Sequence, residues 1–248
     1  MTGSRIFSEA AAQAGRTLRR QEVTERIKDY ILENELRPGD PLPTESELCA
    51  ALGVSRSSIR EAVKTLNALD IVEVRHGHGT YVGNLSLSAL VESLTFRGLL
   101  CPEEDFRALS DLIDVRELIE RGMADQITAA MTPELLDTLD GLVAAMGDRV
   151  EYDAGFVEID REFHAQLIRP LGNELISQLA GAFWDVYRVV APHLRVVTND
   201  DMADAVAQHR NMARAARSGD VAAFALAVTE HYAPVRGRIK VARTARTD

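Results

Sequence analysis

The stretch from Leu42 to Leu69 constrains this chain more than any other. A capping-box signature, Thr44 followed three residues later by Glu47, opens one short helix, and Gly53 interrupts the helical pattern. A second helix is predicted from Ser55. Leu48, Leu52, Val54, Ile59, Val63 and Leu66 are spaced to pack against one another across the Gly53 turn. Two short helices joined in this way are a helix-turn-helix, whose second helix enters the major groove of DNA. That helix carries Arg56, Arg60 and Lys64 four residues apart, three cations on one face, with Ser57 beside them. The pattern implies sequence-specific binding to double-stranded DNA.

Net charge gives this inference no support. The chain carries a formal −10 over 248 residues, and residues 21–82 hold seven Lys and Arg against eleven Asp and Glu. DNA contact therefore depends on where the cations sit, not on a general basic surplus.

Upstream, Val23, Ile27, Tyr30 and Ile31 predict a helix over 21–36, ended by Arg37-Pro-Gly-Asp-Pro. Downstream, Ile71–Val74 and Thr80–Val82 read as two brief strands around the turn Arg75-His-Gly-His-Gly. This hairpin completes a winged helix, and Arg75, His76 and Gly77 are its candidate DNA contacts. Residues 1–19 form an N-terminal extension with a positive balance, and the winged helix-turn-helix occupies 20–83.

From Leu85 the periodicity is helical throughout. Helices are expected near 85–98, 102–130, 133–147, 152–170, 173–197, 200–217 and 219–240, with a basic tail over 241–248. The fold class is therefore mainly α: a winged helix-turn-helix followed, over 84–240, by an all-helical bundle of about seven helices. Two cysteines, Cys49 and Cys101, are too few for a disulfide scaffold, and no apolar run is long enough to span a membrane. A soluble cytoplasmic protein with no membrane partner is expected.

Four polar residues stand on faces that should point inward. Asp160 and His164 are one turn apart among Phe156, Ile159, Phe163 and Leu167. His209 follows Met202 and Val206, and His231 lies in register with Phe224, Val228 and Val235. Buried polar groups need partners, and a divalent metal or a proton-linked histidine network would each supply them. Three imidazoles and a carboxylate suit zinc, nickel, manganese, iron or cobalt better than calcium or magnesium. A metal enzyme with water on an open position uses the same ligands, as does a purely structural histidine cluster. Arg116 falls close to the stripe of Leu112, Val115 and Ile119, and pairs with Asp114 or Glu120 or clamps a ligand carboxylate. Trp184, Tyr187 and Arg188 are candidate walls of an effector pocket, and Asn173 is a helix cap whose amide also comes within reach of it. Glu162 should point away into solvent.

Three segments, Arg37-Pro-Gly-Asp-Pro-Leu-Pro-Thr-Glu-Ser-Glu-Leu48, Leu52-Gly-Val-Ser-Arg-Ser-Ser-Ile-Arg-Glu-Ala62 and Gly77-His-Gly-Thr-Tyr-Val82, resemble the winged helix of the GntR family. Asp160-Arg-Glu-Phe-His164 with His209 and His231 resembles the helical FCD domain of its FadR subfamily, in the seven-helix branch. The resemblance implies a homodimeric transcription regulator, usually a repressor released from a palindromic operator by a small metabolite. It also implies that Asp160, His164, His209 and His231 hold a divalent metal, zinc first among the candidates. A small carboxylate or sugar acid is then the expected effector, held by metal and Arg116. Two departures stand out: Ser46 occupies a position where many relatives carry a DNA-touching arginine, and Asp70 replaces the usual glycine after the reading helix.

Overall fold

The computed structural model describes residues 22–100, 106–149, 154–194 and 202–244. These fall into two compact units that part between Ala89 and Leu90. The N-terminal extension, Cys101 and the last residues of the basic tail lie outside the described residues.

In the first unit, α1 covers residues 22–33, shorter than the expected 21–36, because the chain turns at Asn34 and Glu35 takes a left-handed φ of 52°. Helix α2 (Glu45–Leu52) begins on the full capping box. Thr44 accepts from the Glu47 amide, Glu47 accepts from the Thr44 amide, and Gly53 closes the helix at φ 64°. Helix α3 (Arg56–Ala68) is capped by the Ser55 hydroxyl, which accepts from the Ser58 amide. Ile27, Leu48, Ile59 and Leu66 form the centre of a small core with Val72 and Val82. Strands β1 (Val72–Arg75) and β2 (Gly79–Val82) pair antiparallel, Val72 opposite Val82 and Arg75 opposite Gly79. Fold class and wing are thus as the sequence predicts.

The hairpin is tied to the end of α3. Asp70 adopts φ 55°, the left-handed region where glycine is usual, and its side chain offsets that cost by accepting from the Ser86 amide at 3.0 Å. Its carbonyl accepts from the Leu85 amide at 3.0 Å, and the Gly83 amide donates to the Ile71 carbonyl at 2.9 Å. Gly83 is required by close approach: a Cβ there would lie 2.2 Å from the Asp70 carbonyl oxygen.

The second unit is all-helical among the described residues. It comprises most of α4 (Ser88–Leu100), then α5 (Phe106–Gly122), α6 (Ala124–Ala130), α7 (Pro133–Gly147), α8 (Ala154–Ile168), a 3₁₀ turn at Arg169–Leu171, α9 (Glu174–Leu194), α10 (Met202–Ser218) and α11 (Val221–Thr244). The sequence reading merged α5 and α6 into one helix; the structure breaks them at Met123, giving about eight helices rather than seven. Helix α11 also continues to Thr244, into the segment expected to be a tail. The core joins faces of α5 to α11, with Phe156, Phe163, Leu139, Met212, Phe224 and Tyr232 fully buried. No helix is long and apolar enough to cross a membrane among the described residues.

Candidate functional site

Helices α8, α10 and α11 turn their polar residues into this core at one place. His164, His209 and His231 bring potential ligand nitrogens within 4.8 Å of one another. Asp160 joins them, its Oδ1 2.7 Å from His209 Nε2 and 3.4 Å from His164 Nε2. The sequence expectation that these four meet is met in the geometry.

Hydrogen bonds aim the imidazoles. His164 Nδ1 lies 2.6 Å from Glu120 Oε1, so Nδ1 carries the proton and Nε2 presents a lone pair to the cluster. His209 Nδ1 donates to the Ala205 carbonyl at 2.7 Å, which likewise turns Nε2 toward Asp160. His164 Nε2 and His231 Nδ1 are buried and have no hydrogen-bond partner among the described residues. Two orphaned lone pairs, an aimed imidazole and a carboxylate around one point form a donor set that fits a divalent metal of the zinc type.

The electrostatics favour the ligating forms of Asp160 and His231. Burial raises the Asp160 pKa, but His209 and His164 outweigh it and hold the carboxyl well below its ordinary value. Burial and the neighbouring His209 and His164 push His231 well below the ordinary imidazole value, so it is neutral. His164 is driven the other way: burial opposes its charge, yet Glu120 and Asp160 raise its pKa. A metal needs the deprotonated carboxylate and neutral imidazoles.

A cavity of about 210 Å³ opens beside His164, lined by Arg116, Glu120, Arg161, Glu162, Trp184 and neighbouring residues. Arg116, 5% exposed, sits over Trp184 with Cζ 3.8 Å from the ring centroid, and its Nε has no hydrogen-bond partner among the described residues. Burial lowers its pKa, but Tyr232, Glu120 and Asp160 more than compensate, and Arg116 stays a cation. The salt bridge to Asp114 open to it in the sequence is taken by Arg236, at 2.8 Å. A smaller cavity, about 60 Å³, is lined by Arg116, Asp160, Tyr187, His209 and His231 among others.

Other expectations fare unevenly. Trp184 and Tyr187 are buried next to Arg116. Arg188, one position further round α9, is exposed and lines neither cavity. Asn173 caps α9, its Oδ1 accepting from the Ile176 amide at 3.2 Å, and it too lies outside both cavities. Glu162 is half-buried and lines the larger cavity, held by Arg169 and Gln166, because α8 rolls its flank as well as its Asp160 face toward α9. Val115 is 37% exposed; the inward face of α5 keeps Leu112 and Ile119 and also takes in Ile113, Arg116, Glu117 and Glu120. Sequence reasoning missed Glu120 as a site residue. It stands one turn after Arg116, a spacing that a solvated salt bridge shares, and only the burial of α5 sets it apart.

The nucleic-acid candidates all stand on exposed ground. Arg56, Ser57, Arg60 and Lys64 are exposed along α3, and Arg75, His76 and Gly77 on the wing, where Gly77 takes φ 77°. Arg60 pairs with Glu45 at 2.9 Å, Lys64 with Glu61 at 2.9 Å and Arg75 with Glu73 at 2.8 Å. Ser57 shares a 2.8 Å hydroxyl contact with Ser55, and Arg56 has no partner among the described residues.

Comparison with known proteins covers both units. Residues 19–82 match the family described as bacterial regulatory proteins, gntR family, and residues 111–234 match the FCD domain. The chain is 34% identical to the HTH-type transcriptional regulator LutR of Bacillus subtilis over 60% of this chain and 66% of that protein. It is 26% identical to the galactonate operon transcriptional repressor of Escherichia coli over 77% of this chain and 83% of the relative. Among solved structures, a GntR protein of Streptococcus agalactiae superposes with a TM-score of 0.57 at 29% identity, covering 88% of this chain and 99% of the other. The relatives are regulators of transcription, which sets aside the metal-enzyme alternative.

Proposed function

This chain belongs to the GntR family as a DNA-binding transcription regulator with a C-terminal FCD domain, and from that premise we propose that it is a metabolite-responsive repressor of the FadR subfamily. In this reading residues 20–83 bind a palindromic operator as a homodimer, and residues 84–240 sense a small organic or sugar acid at a divalent metal, zinc first. The observation that carries it is the meeting of Asp160, His164, His209 and His231 beside a cavity lined by the buried cation Arg116, whose Nε has no hydrogen-bond partner among the described residues. A metal held there by the four residues supplies a Lewis-acidic centre for a carboxylate oxygen. Arg116 supplies planar guanidinium donors for the same group, and Trp184 keeps that fork in place. A cavity near 210 Å³ is below the range for drug-sized ligands and suits a short acid rather than an acyl-CoA. The galactonate repressor, a relative whose name points to a sugar acid, agrees with this class.

Effector control follows from linkage. If the acid binds the DNA-incompetent arrangement more tightly, it lowers operator affinity by the same factor as operator lowers acid affinity. The test is native mass spectrometry with elemental analysis of the protein as purified, beside the Asp160→Ala and His164→Ala variants. Expected is a dimer with about one metal per chain, and loss of both metal and acid response in the variants. A metal-free dimer whose variants still respond to the same acids would remove the sensing site from the histidine cluster.

A further inference from the structure

Asn67 stands about one turn beyond Lys64 on the reading helix α3 and is exposed, a place where spacing alone would count it among the DNA contacts. The structure commits its side chain elsewhere. Asn67 Oδ1 accepts from the backbone amide of Val74, on strand β1 of the wing, at 3.1 Å.

The hairpin register explains why that amide needs a partner. On β2, the carbonyls of Thr80 and Val82 accept from the Leu42 and Gly39 amides at 2.8 and 2.9 Å, and the Val82 amide donates to the Asp40 carbonyl at 2.8 Å. These two residues therefore turn their main-chain groups away from β1. Val74 lies opposite Thr80, so it turns its own away from β2. Its amide then points off the edge of a two-stranded hairpin, a unit with little stability of its own. Asn67 meets that edge with an acceptor from the reading helix.

The wing tip beyond Val74 is tied together internally. The His78 amide donates to the Arg75 carbonyl at 2.9 Å, and the Tyr81 hydroxyl donates to the His78 carbonyl at 3.2 Å. Arg75 Cζ sits 4.1 Å from the centroid of the Tyr81 ring. A tip held in this way moves as one piece. An anchor on Val74, one residue before it, sets where Arg75 and His76 stand relative to the cations of α3.

We propose that Asn67 is the positioning residue of the wing: its Oδ1 fixes β1 on the reading helix, so that helix and wing meet DNA in one register. This rests on the reading of Arg75 and His76 as DNA contacts and adds to it the residue that holds them in place.

The probe is a duplex that the wild-type protein selects from random sequence, with an unrelated duplex as control, and affinity is read by fluorescence anisotropy at fixed salt. Asn67→Ala removes the acceptor at an exposed position and introduces a stronger helix former, so the fold is kept. Expected is a loss of about three- to tenfold for each winged helix bound, as for one neutral hydrogen bond. In a background already carrying Arg75→Ala and His76→Ala, the same change should cost less than about twofold, because the contacts it positions are gone. Hydrogen exchange read by mass spectrometry gives a second measurement without DNA. Strand β1 should exchange faster in Asn67→Ala and stay protected in Asn67→Asp, whose carboxylate still accepts. A loss equally large in the Arg75→Ala, His76→Ala background overturns the proposal and makes Asn67 a DNA contact in its own right. Wild-type affinity in Asn67→Ala, or unchanged exchange of β1, also overturns it and leaves the wing reading standing. Wild-type affinity in the protein carrying only Arg75→Ala and His76→Ala overturns the reading of those two residues as DNA contacts, and the positioning role falls with it.

Discussion

Among the described residues, Arg56 is the cation of α3 with no acid against it. Arg60, Lys64 and Arg75 each lie against a glutamate, in exposed pairs worth about 0–1 kcal/mol, which DNA phosphates must displace. Arg56 makes no such exchange, so it is the residue best placed to contribute net discrimination. Arg56→Ala should cost about 1–3 kcal/mol at the cognate operator and much less on unrelated DNA, measured by fluorescence anisotropy at fixed salt. An equal loss on both would reassign Arg56 to the phosphates. At this scale the four cluster residues were legible from one sequence, since each sits on a helix stripe whose other members are large and apolar. Glu120 was not, because a glutamate four residues from an arginine reads equally as a solvated salt bridge, and only the burial of α5 decides between them. Arg188 failed for the related reason that one residue is a 100° step round a helix, enough to turn a wall residue out to solvent.

Among elements, punctuation decided what could be read in advance. The Thr44 and Glu47 box, Gly53 and Ser55 carry their own local hydrogen bonds, so α2 and α3 begin where the chain says they should. The break between α5 and α6 at Met123 has only Gly122 before it, with no proline and no side-chain cap, and a lone glycine is a weak signal in a chain that carries Gly141 and Gly181 inside helices. Gly83 was invisible in another way. Its need arises from the backbone of Asp70, thirteen residues earlier, which lies 2.2 Å from where a Cβ would sit. Neither atom there is the end of a flexible side chain, so Gly83→Ala should force the strand end and the Asp70 turn apart. The expected cost is about 1–3 kcal/mol. Thermal denaturation of the full chain would show a lowered transition, and operator affinity would fall with it because the wing shifts. Unchanged melting and DNA binding would mean that the Asp70 turn moves aside without penalty.

Taken as a whole, a chain of net charge −10 binding a polyanion is a strongly conditional DNA binder. Its affinity comes from a few local cations, and the remaining charge repels, so salt acts on two opposing terms. The counterion-release slope should reflect only the phosphate contacts made by the reading helix and wing, and screening of the repulsion offsets part of it, so log K should fall with log salt less steeply than for a basic protein making more phosphate contacts. An acid effector of the proposed kind would add to that negative charge, but its influence on DNA is expected through the conformation it selects and not through its charge, since a ligand neutralised by a metal and Arg116 would change the outer field little. The two routes separate experimentally. If conformational selection operates, the ratio of operator affinities with and without a saturating acid stays nearly constant from low to moderate salt, and calorimetry finds the acid bound more weakly to operator-bound protein by the same factor. A ratio that collapses as salt rises would mean that the effector acts by electrostatic repulsion. Equal acid affinity for free and operator-bound protein would mean that the acid does not control DNA binding at all.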